Sequence, residues 1–417
     1  MATVSEARSA SPLRALRHRN FRLYFIGQGV SILGTWIQHV ALSWLVYRLT
    51  GSAALLGIVA FLGQAPQLVV GPVAGAWIDR HDRRRMLMVV QGLLAVQAAF
   101  LSVLTFAELI GPEIIVAMAL VLGVLNSFET PLRQALLGQL VGERTDLGNA
   151  IALNAMLFNS GRFVGPPIAG LLVAAAGEAV CFGVNAFSFL ALIGALAAVT
   201  VTAVPRAGGT IGSAFREGLT YAWRSRPTRV LLAMVALLNL LGTPYVVLMP
   251  VFAEQVFHGD ARTLGWLLGA AGVGSVAAAT FLATRRAHAA LVGFVALGFT
   301  LAAAGLAAFS QTARLGLALA ALFVAGFGMT CSNVSCNTTL QMIVPERLRG
   351  RVVSLFTSAL WGMHAVGGLA AGAVATQIGA PLTLLGGAVL LAAAALWYAT
   401  RVGGLRQQVS AAQPTGS

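Results

Sequence analysis

Residues 75–85 read Gly75-Ala76-Trp77-Ile78-Asp79-Arg80-His81-Asp82-Arg83-Arg84-Arg85, two carboxylates and a burst of guanidinium groups set between two long apolar runs. The runs at 53–78 and 86–108 each exceed the roughly 20 apolar residues needed to cross a bilayer. A charged connection of this kind belongs at a membrane surface, with a helix entering on one side and another leaving on the other. The same pattern extends in both directions, with apolar runs at 22–47, 113–138, 147–175, 179–203, 229–256, 263–284, 288–310, 314–343, 350–377 and 381–402. It predicts an all-α membrane protein of about twelve transmembrane helices.

Composition agrees. The chain has 417 residues, 58% of them hydrophobic and only 10% charged, which no ordinary soluble domain shows. All 27 basic residues are arginine, and the net charge of +14 raises a nucleic-acid partner as a reading. Their placement argues against it: they fall in bursts at 14–22, 80–85, 206–229, 285–286 and 347–351, between apolar runs rather than along one helix face. Alternate connections hold nearly all of them, the positive-inside pattern, which predicts a cell (inner or plasma) membrane protein with both termini cytoplasmic. The first apolar stretch carries no small-residue cleavage site and reads as a retained span.

Several function classes are opposed by what the chain lacks. Cys181, Cys331 and Cys336 form no CxxC and have no histidine at zinc-ligand spacing, so neither a disulfide framework nor a metal site is expected. Without lysine there is no phosphate-binding loop for ATP, Gly272 and Gly274 lack the rest of a dinucleotide fingerprint, and no hydrolase motif is present. The expectation is a protein that is not an enzyme and uses no cofactor.

The chain also looks duplicated. "LVGER" at 140–144 recurs as "IVPER" at 343–347, each after the fourth apolar run of its half, as duplicated membrane halves predict. The expected organisation is a six-helix half at 1–204, a connection at 205–228, a second six-helix half at 229–403 and a cytoplasmic tail at 404–417. Within the connection, Ile211, Phe215, Leu219 and Trp223 recur every fourth residue, which suits an interfacial amphipathic helix. A loosely ordered linker is the alternative.

Residues 75–85 resemble the signature loop of the major facilitator superfamily, GxxxDRxxRR, with Asp82 where glycine is commoner. A second stretch, Gly161-Arg162-Phe163-Val164-Gly165-Pro166-Pro167-Ile168-Ala169-Gly170, resembles the antiporter signature of its drug-exporting branch, which includes macrolide-efflux and enterobactin-export proteins. The resemblance covers nearly the whole chain. It implies two pseudo-symmetric six-helix halves and a secondary transporter that exports an amphipathic small molecule of the drug or siderophore class, by proton antiport with alternating access. A lysolipid or lipid flippase on the same fold is the competing reading. The implied partners are the lipid bilayer, a small-molecule substrate and protons.

The signature loop implies a gate. Gly75 is expected to permit close helix approach, Asp79 to accept hydrogen bonds from the amides at the N-terminus of span eleven near Arg349 to Val352, and Arg80, Arg83 and Arg84 to complete the motif. Arg83 is expected to pair with Glu129 at the end of span four. Glu129 then has two readings, a gate salt bridge and a proton carrier. The span-four element Arg-x-x-Gln-Gly of many drug antiporters is absent, and the stretch reads "LVLGVLNSFETPLRQA".

Gly161, Gly165, Pro166 and Gly170 are expected to pack and bend span five. Arg162 in the same span is costly there unless it meets a partner or water, and pairing with Glu129 is one expectation. Other candidates for a central cavity are Gln28, Trp36, Gln38, His39, Asn126, Asn154, Asn159, Asn239, Tyr245, Asn333, Asn337, Trp361 and His364. Most intramembrane amides serve as interhelical glue, so only some of these face substrate. His39 and His364 carry imidazoles, the side chain that titrates nearest neutrality.

Overall fold

The computed structural model describes residues 13–78, 81–141, 144–200, 211–285 and 291–404. Asp79 and Arg80 of the signature loop, the first part of the 205–228 connection and the tail beyond Gly404 lie outside the described residues.

In hydrocarbon every backbone amide must be satisfied within its own segment, so apolar runs of this length fold as helices. They do so here as α1 (Arg19–Thr50), α2 (Ala53–Gln64), α3 (Pro66–Ile78), α4 (Arg83–Phe106), α5 (Pro112–Leu140) and α6 (Arg144–Ala197). After α7 (Ile211–Arg224) come α8 (Arg226–Leu241), α9 (Pro244–Val251), α10 (Ala261–Ala283), α11 (Leu291–Gln311), α12 (Leu315–Ile343), α13 (Glu346–Ile378) and α14 (Ala380–Ala399). Eleven stretches among the described residues are long and apolar enough to cross a membrane. One of them, Thr145–Ala197, is 53 residues long and leaves helical geometry at Gly177 (φ 82°, ψ 170°), so it makes two passes. The described residues thus make twelve spans, with the second built from α2 and α3 and the seventh from α8 and α9.

Helix ends are set by local chemistry. The Ser52 side chain accepts from the Leu55 amide, Asp82 from the Arg84 and Arg85 amides, and Asp260 from the Arg262 and Thr263 amides. Asp82 therefore begins span three as its N-cap. Phe187, Val96, Val103, Phe106 and Leu396 lie exposed on the outside of the bundle, as a lipid-facing surface requires.

The starts of α1, α4, α6, α8 and α13 share one arginine-rich face, and the turns near Gly51, Gly177 and Gly379 share the opposite, far face. Gly379 (φ 83°, ψ 156°) connects spans eleven and twelve as Gly177 connects five and six, and the two glycines are 202 residues apart. Positive φ at both positions favours glycine. The first six spans meet the last six chiefly through α2 with α13 and α6 with α10, with smaller contacts of α1 and α2 to α9 and of α1 to α10.

α7 lies in the connection between the two sets of spans. Ala222 is buried and Tyr221 packs against the core, whereas Leu219 and Trp223 of the stripe point outward, Trp223 with 71% of its surface exposed. The Glu217 carboxylate accepts hydrogen bonds from Arg347 (2.6 Å) and Arg351 at the start of α13.

Candidate functional site

Two helix faces look at each other across the centre of the bundle. On α6, Ile151, Ala155 and Arg162 form one stripe at heptad-like spacing and are exposed, while Ala169 and Val173, further along the same stripe, are buried. On α13, Ser354, Thr357 and Trp361 are exposed, His364 is half-buried, and Ala371 and Ala375 are buried. The transition falls at the same depth on both helices. A space between the two sets of spans therefore opens at the arginine-rich face and closes beyond Arg162 and His364.

What closes it is backbone-close packing of small residues. A Cβ on Gly57 of α2 would stand 2.8 Å from the carbonyl oxygen of Gly368 on α13. A Cβ on Gly265 of α10 would stand 2.7 Å from the carbonyl oxygen of Pro166, and Gly170 packs against Ala261 and Gly265. Pro166 and Gly170 of the antiporter-like motif thus make the contact to α10. Gly161 and Gly165 face the other way, onto Trp36 of α1, which lies 3.2 Å from where a Gly161 Cβ would be.

Arg162 lies about 26 Å along its helix from Thr145, near the middle of the span. Across the space its guanidinium is close enough to Tyr245 and His364 for its charge to act on both. His39 exposes surface although protein surrounds it densely, placing it on an inner wall. The rings of Trp36 and His39 are 6.1 Å apart and those of Trp361 and His364 are 6.2 Å apart. Asn159 is exposed and donates to the Ala155 carbonyl at 2.8 Å. Asn126 and Asn154 are half-buried, and the Asn154 Oδ1 has no hydrogen-bond partner.

Other candidates turn away from this space. Gln38 is buried inside the first six spans, where it donates to Gln97 (3.1 Å) and accepts from Asn185 (2.7 Å). Gln28 is buried as well. Asn239 is buried and donates to Asn333 at 3.2 Å, joining spans seven and ten, while Asn337 accepts from Gln341 at 3.1 Å. Tyr245 is 5% exposed and contributes from just behind the wall. Gln38, Asn239 and Asn333 tie helices together, as most intramembrane amides do, whereas the Asn337 bond stays within α12.

The signature-loop residues also differ from expectation in their partners. Glu129 lies 3.6 Å from Arg133, one turn along α5, rather than against Arg83 or Arg162. The Arg133 guanidinium also stacks over Phe158 at 3.9 Å, and Tyr24 is close enough to feel both charges. A glutamate four residues before an arginine on one helix was a signal present in the sequence. Arg83 reaches the Ala135 carbonyl at 3.4 Å, and Arg84 donates to the Leu196 and Ala197 carbonyls, each at 2.7 Å, closing the C-terminal end of span six. Gly75 lies within α3.

A longer repeat marks the central position. Val164, Gly165, Ala169, Gly170 and Gly177 recur as Val366, Gly367, Ala371, Gly372 and Gly379, each 202 residues on. Arg162 and His364 share that interval. The two residues facing each other at the closed end of the space occupy equivalent positions of a duplicated helix.

The family described as transmembrane secretion effector, of the major facilitator superfamily, matches residues 10–414. The chain is 31% identical over 373 residues to the multidrug efflux pump Tap of Mycolicibacterium fortuitum, covering 84% of this chain and 88% of that protein. It is 27% identical over 269 residues to the staphyloferrin A transporter of Staphylococcus aureus, covering 63% of this chain and 66% of that protein. It is 24% identical to macrolide efflux protein A of Streptococcus pyogenes, over 58% of this chain and 62% of that protein. Among solved structures, a bacterial homologue of the human lysosomal transporter Spinster in an inward-facing, unoccupied conformation superposes with a TM-score of 0.68 at 14% identity, over 96% of this chain and 99% of that one. The nucleoside transporter NupG superposes with a TM-score of 0.65 at 14% identity, over 92% and 98%.

Proposed function

The chain belongs to the transmembrane secretion effector family of the major facilitator superfamily, and on that premise we propose that it exports an amphipathic small molecule of the drug or siderophore class by alternating access, with protons as the counter-ion. The observation that carries this reading is the one-ended closure of the central space. Small-residue contacts at Gly57, Gly368, Gly170 and Gly265 hold the far face shut, while the stripes at Ala155 and Thr357 stand open toward the arginine-rich face. The arginine excess supports reading that open face as the cytoplasmic one. Substrate then enters from inside the cell, and rocking residues 1–204 against 229–403 releases it outside.

The signature loop, with Gly75, Asp79, Arg80, Arg83 and Arg84, would hold the cytoplasmic side closed in the alternate state. The chain has no lysine for a phosphate-binding loop, which supports an ion or solute gradient as the drive. Glu129, His39 and His364 are the candidate proton carriers, Glu129 having the alternative role of a structural ion pair. The names of the relatives, a multidrug efflux pump, a macrolide efflux protein and a siderophore transporter, support the substrate class.

The test is movement of fluorescent amphipathic compounds in proteoliposomes under an imposed pH gradient, comparing the parent with Glu129→Gln. Movement of compound opposite to the proton flux in the parent supports antiport, movement along it makes the protein a symporter, and loss in the variant with binding and stability retained supports Glu129 as a proton carrier. Failure to move any compound, with scrambling of labelled lysolipid instead, replaces this reading with a lipid-handling one.

A further inference from the structure

A guanidinium near the middle of a span is costly unless it meets a counter-charge. Among the described carboxylates inside the bundle, Glu129 is engaged by Arg133, and Glu178 by Arg48 at 2.8 Å. Glu254 lies exposed beside the far face. Arg162 has no carboxylate partner among the described residues, yet it is exposed where the central space closes. Because Glu129 and Arg133 balance one another, Arg162 leaves this space with an excess positive charge. A cationic guest would meet repulsion there, and an anion would meet a planar fork of donors shaped for an oxyanion.

The surroundings fit an anion with an apolar body. Tyr245 and His364, both within range of the Arg162 charge, belong to the opposite set of spans, so an oxyanion on Arg162 would sit where the two sets approach. Trp361, exposed and one helical turn from His364, offers flat apolar surface below.

We propose that Arg162 is the recognition point for an oxyanion, and that the transported molecule is an organic anion carrying a carboxylate on an apolar body. This rests on the export reading above. The carboxylate belongs to a soluble amphipath or to an anionic lipid competing through its head group, and the two sources are separable.

The test uses the full chain in phosphatidylcholine nanodiscs and three probes on one apolar body: pyrenebutyrate, pyrenebutyramide and pyrenebutylamine. Binding is followed by pyrene fluorescence, with partition into empty nanodiscs subtracted. A charge-assisted bidentate contact predicts a preference for the carboxylate over the amide of about tenfold or more, with the amine weakest. Arg162→Lys retains part of that preference, and Arg162→Gln abolishes it. Equal binding of amide and carboxylate to the parent, or a preference that survives Arg162→Gln, overturns the proposal. Adding phosphatidylglycerol separates the sources: a loss of pyrenebutyrate affinity identifies the lipid head group as the natural anion, and unchanged affinity supports a soluble one. Carboxylate-selective binding without movement under any gradient sinks the export reading and leaves the site standing. Movement of the amine as fast as the carboxylate sinks the anion proposal and leaves export standing.

Discussion

Arg48 donates from Nε and Nη2 to the two carboxylate oxygens of Glu178, at 2.8 and 3.2 Å, and so ties the last turn of α1 to the residue that follows Gly177. Arg48 is half exposed and Glu178 is buried, so solvent screens only one partner. Arg48→Met leaves a buried carboxylate without its counter-charge, and the expected cost is about 1–2 kcal/mol. Thermal unfolding in detergent should show a lower Tm, most of it recovered by combining Arg48→Met with Glu178→Gln. A single variant as stable as the parent would show that the pair contributes nothing net.

The Glu129 and Arg133 side chains are each nearly buried, at 13% and 12% exposure. Glu129→Gln strands the Arg133 charge and should destabilise by about 3 kcal/mol, while Glu129→Gln with Arg133→Met should recover most of the loss. The double variant also separates stability from mechanism: if transport stays lost while stability returns, Glu129 has a role beyond the ion pair.

Replacing Gly265 with Leu puts a side chain where the Pro166 carbonyl stands. The expected result is not unfolding alone but a shift toward the state opened at the far face. Spin labels at the exposed residues Leu109 and Leu315, one on each set of spans, should report a longer mean separation than in the parent. An unchanged separation in a folded variant would mean that the α6 and α10 contact does not hold that face.

Hydrogen bonds from Arg351 and Arg347 hold the Glu217 carboxyl below its ordinary value of 4.5. A depressed folded-state pKa adds stability above the ordinary value, and that stability is lost as pH falls through the lowered one. Docking of α7 should therefore be constant from neutrality down to about 4.5 and weaken below it. Trp223 fluorescence in a background without the other tryptophans reads this out. Glu217→Gln should remove the acid transition, and because the contact is exposed, raised salt should weaken it too.

Much of the fold was legible because hydrocarbon leaves a long apolar run few alternatives to a helix. The twelve expected runs match the observed spans to within a few residues. The breaks inside spans were not legible: Gln64 ends α2 without a charge nearby, and Gly242 and Thr243 divide span seven within continuous hydrophobic sequence. Helix faces were harder still. Gln38 and His39 are adjacent and equally polar, yet one lies in an interhelical network and the other on an inner wall, because the packing of neighbours sets each helix's rotation. Arg162 was legible as costly, but its position opposite His364 required the repeat at 202 residues, which only glycines and small residues mark.

The single-glycine elbows at 177 and 379 have a mechanical consequence. A connection of one residue stores no slack, so a tilt of span five is handed directly to span six, and a tilt of span eleven to span twelve. Spans five and eleven also bear on the opposite set. Each elbow therefore makes a lever whose fulcrum is the interface and whose far arm is a neighbouring span. Lengthening either elbow by a flexible insertion would let the loaded arm move while the other stays behind, like a clutch slipping.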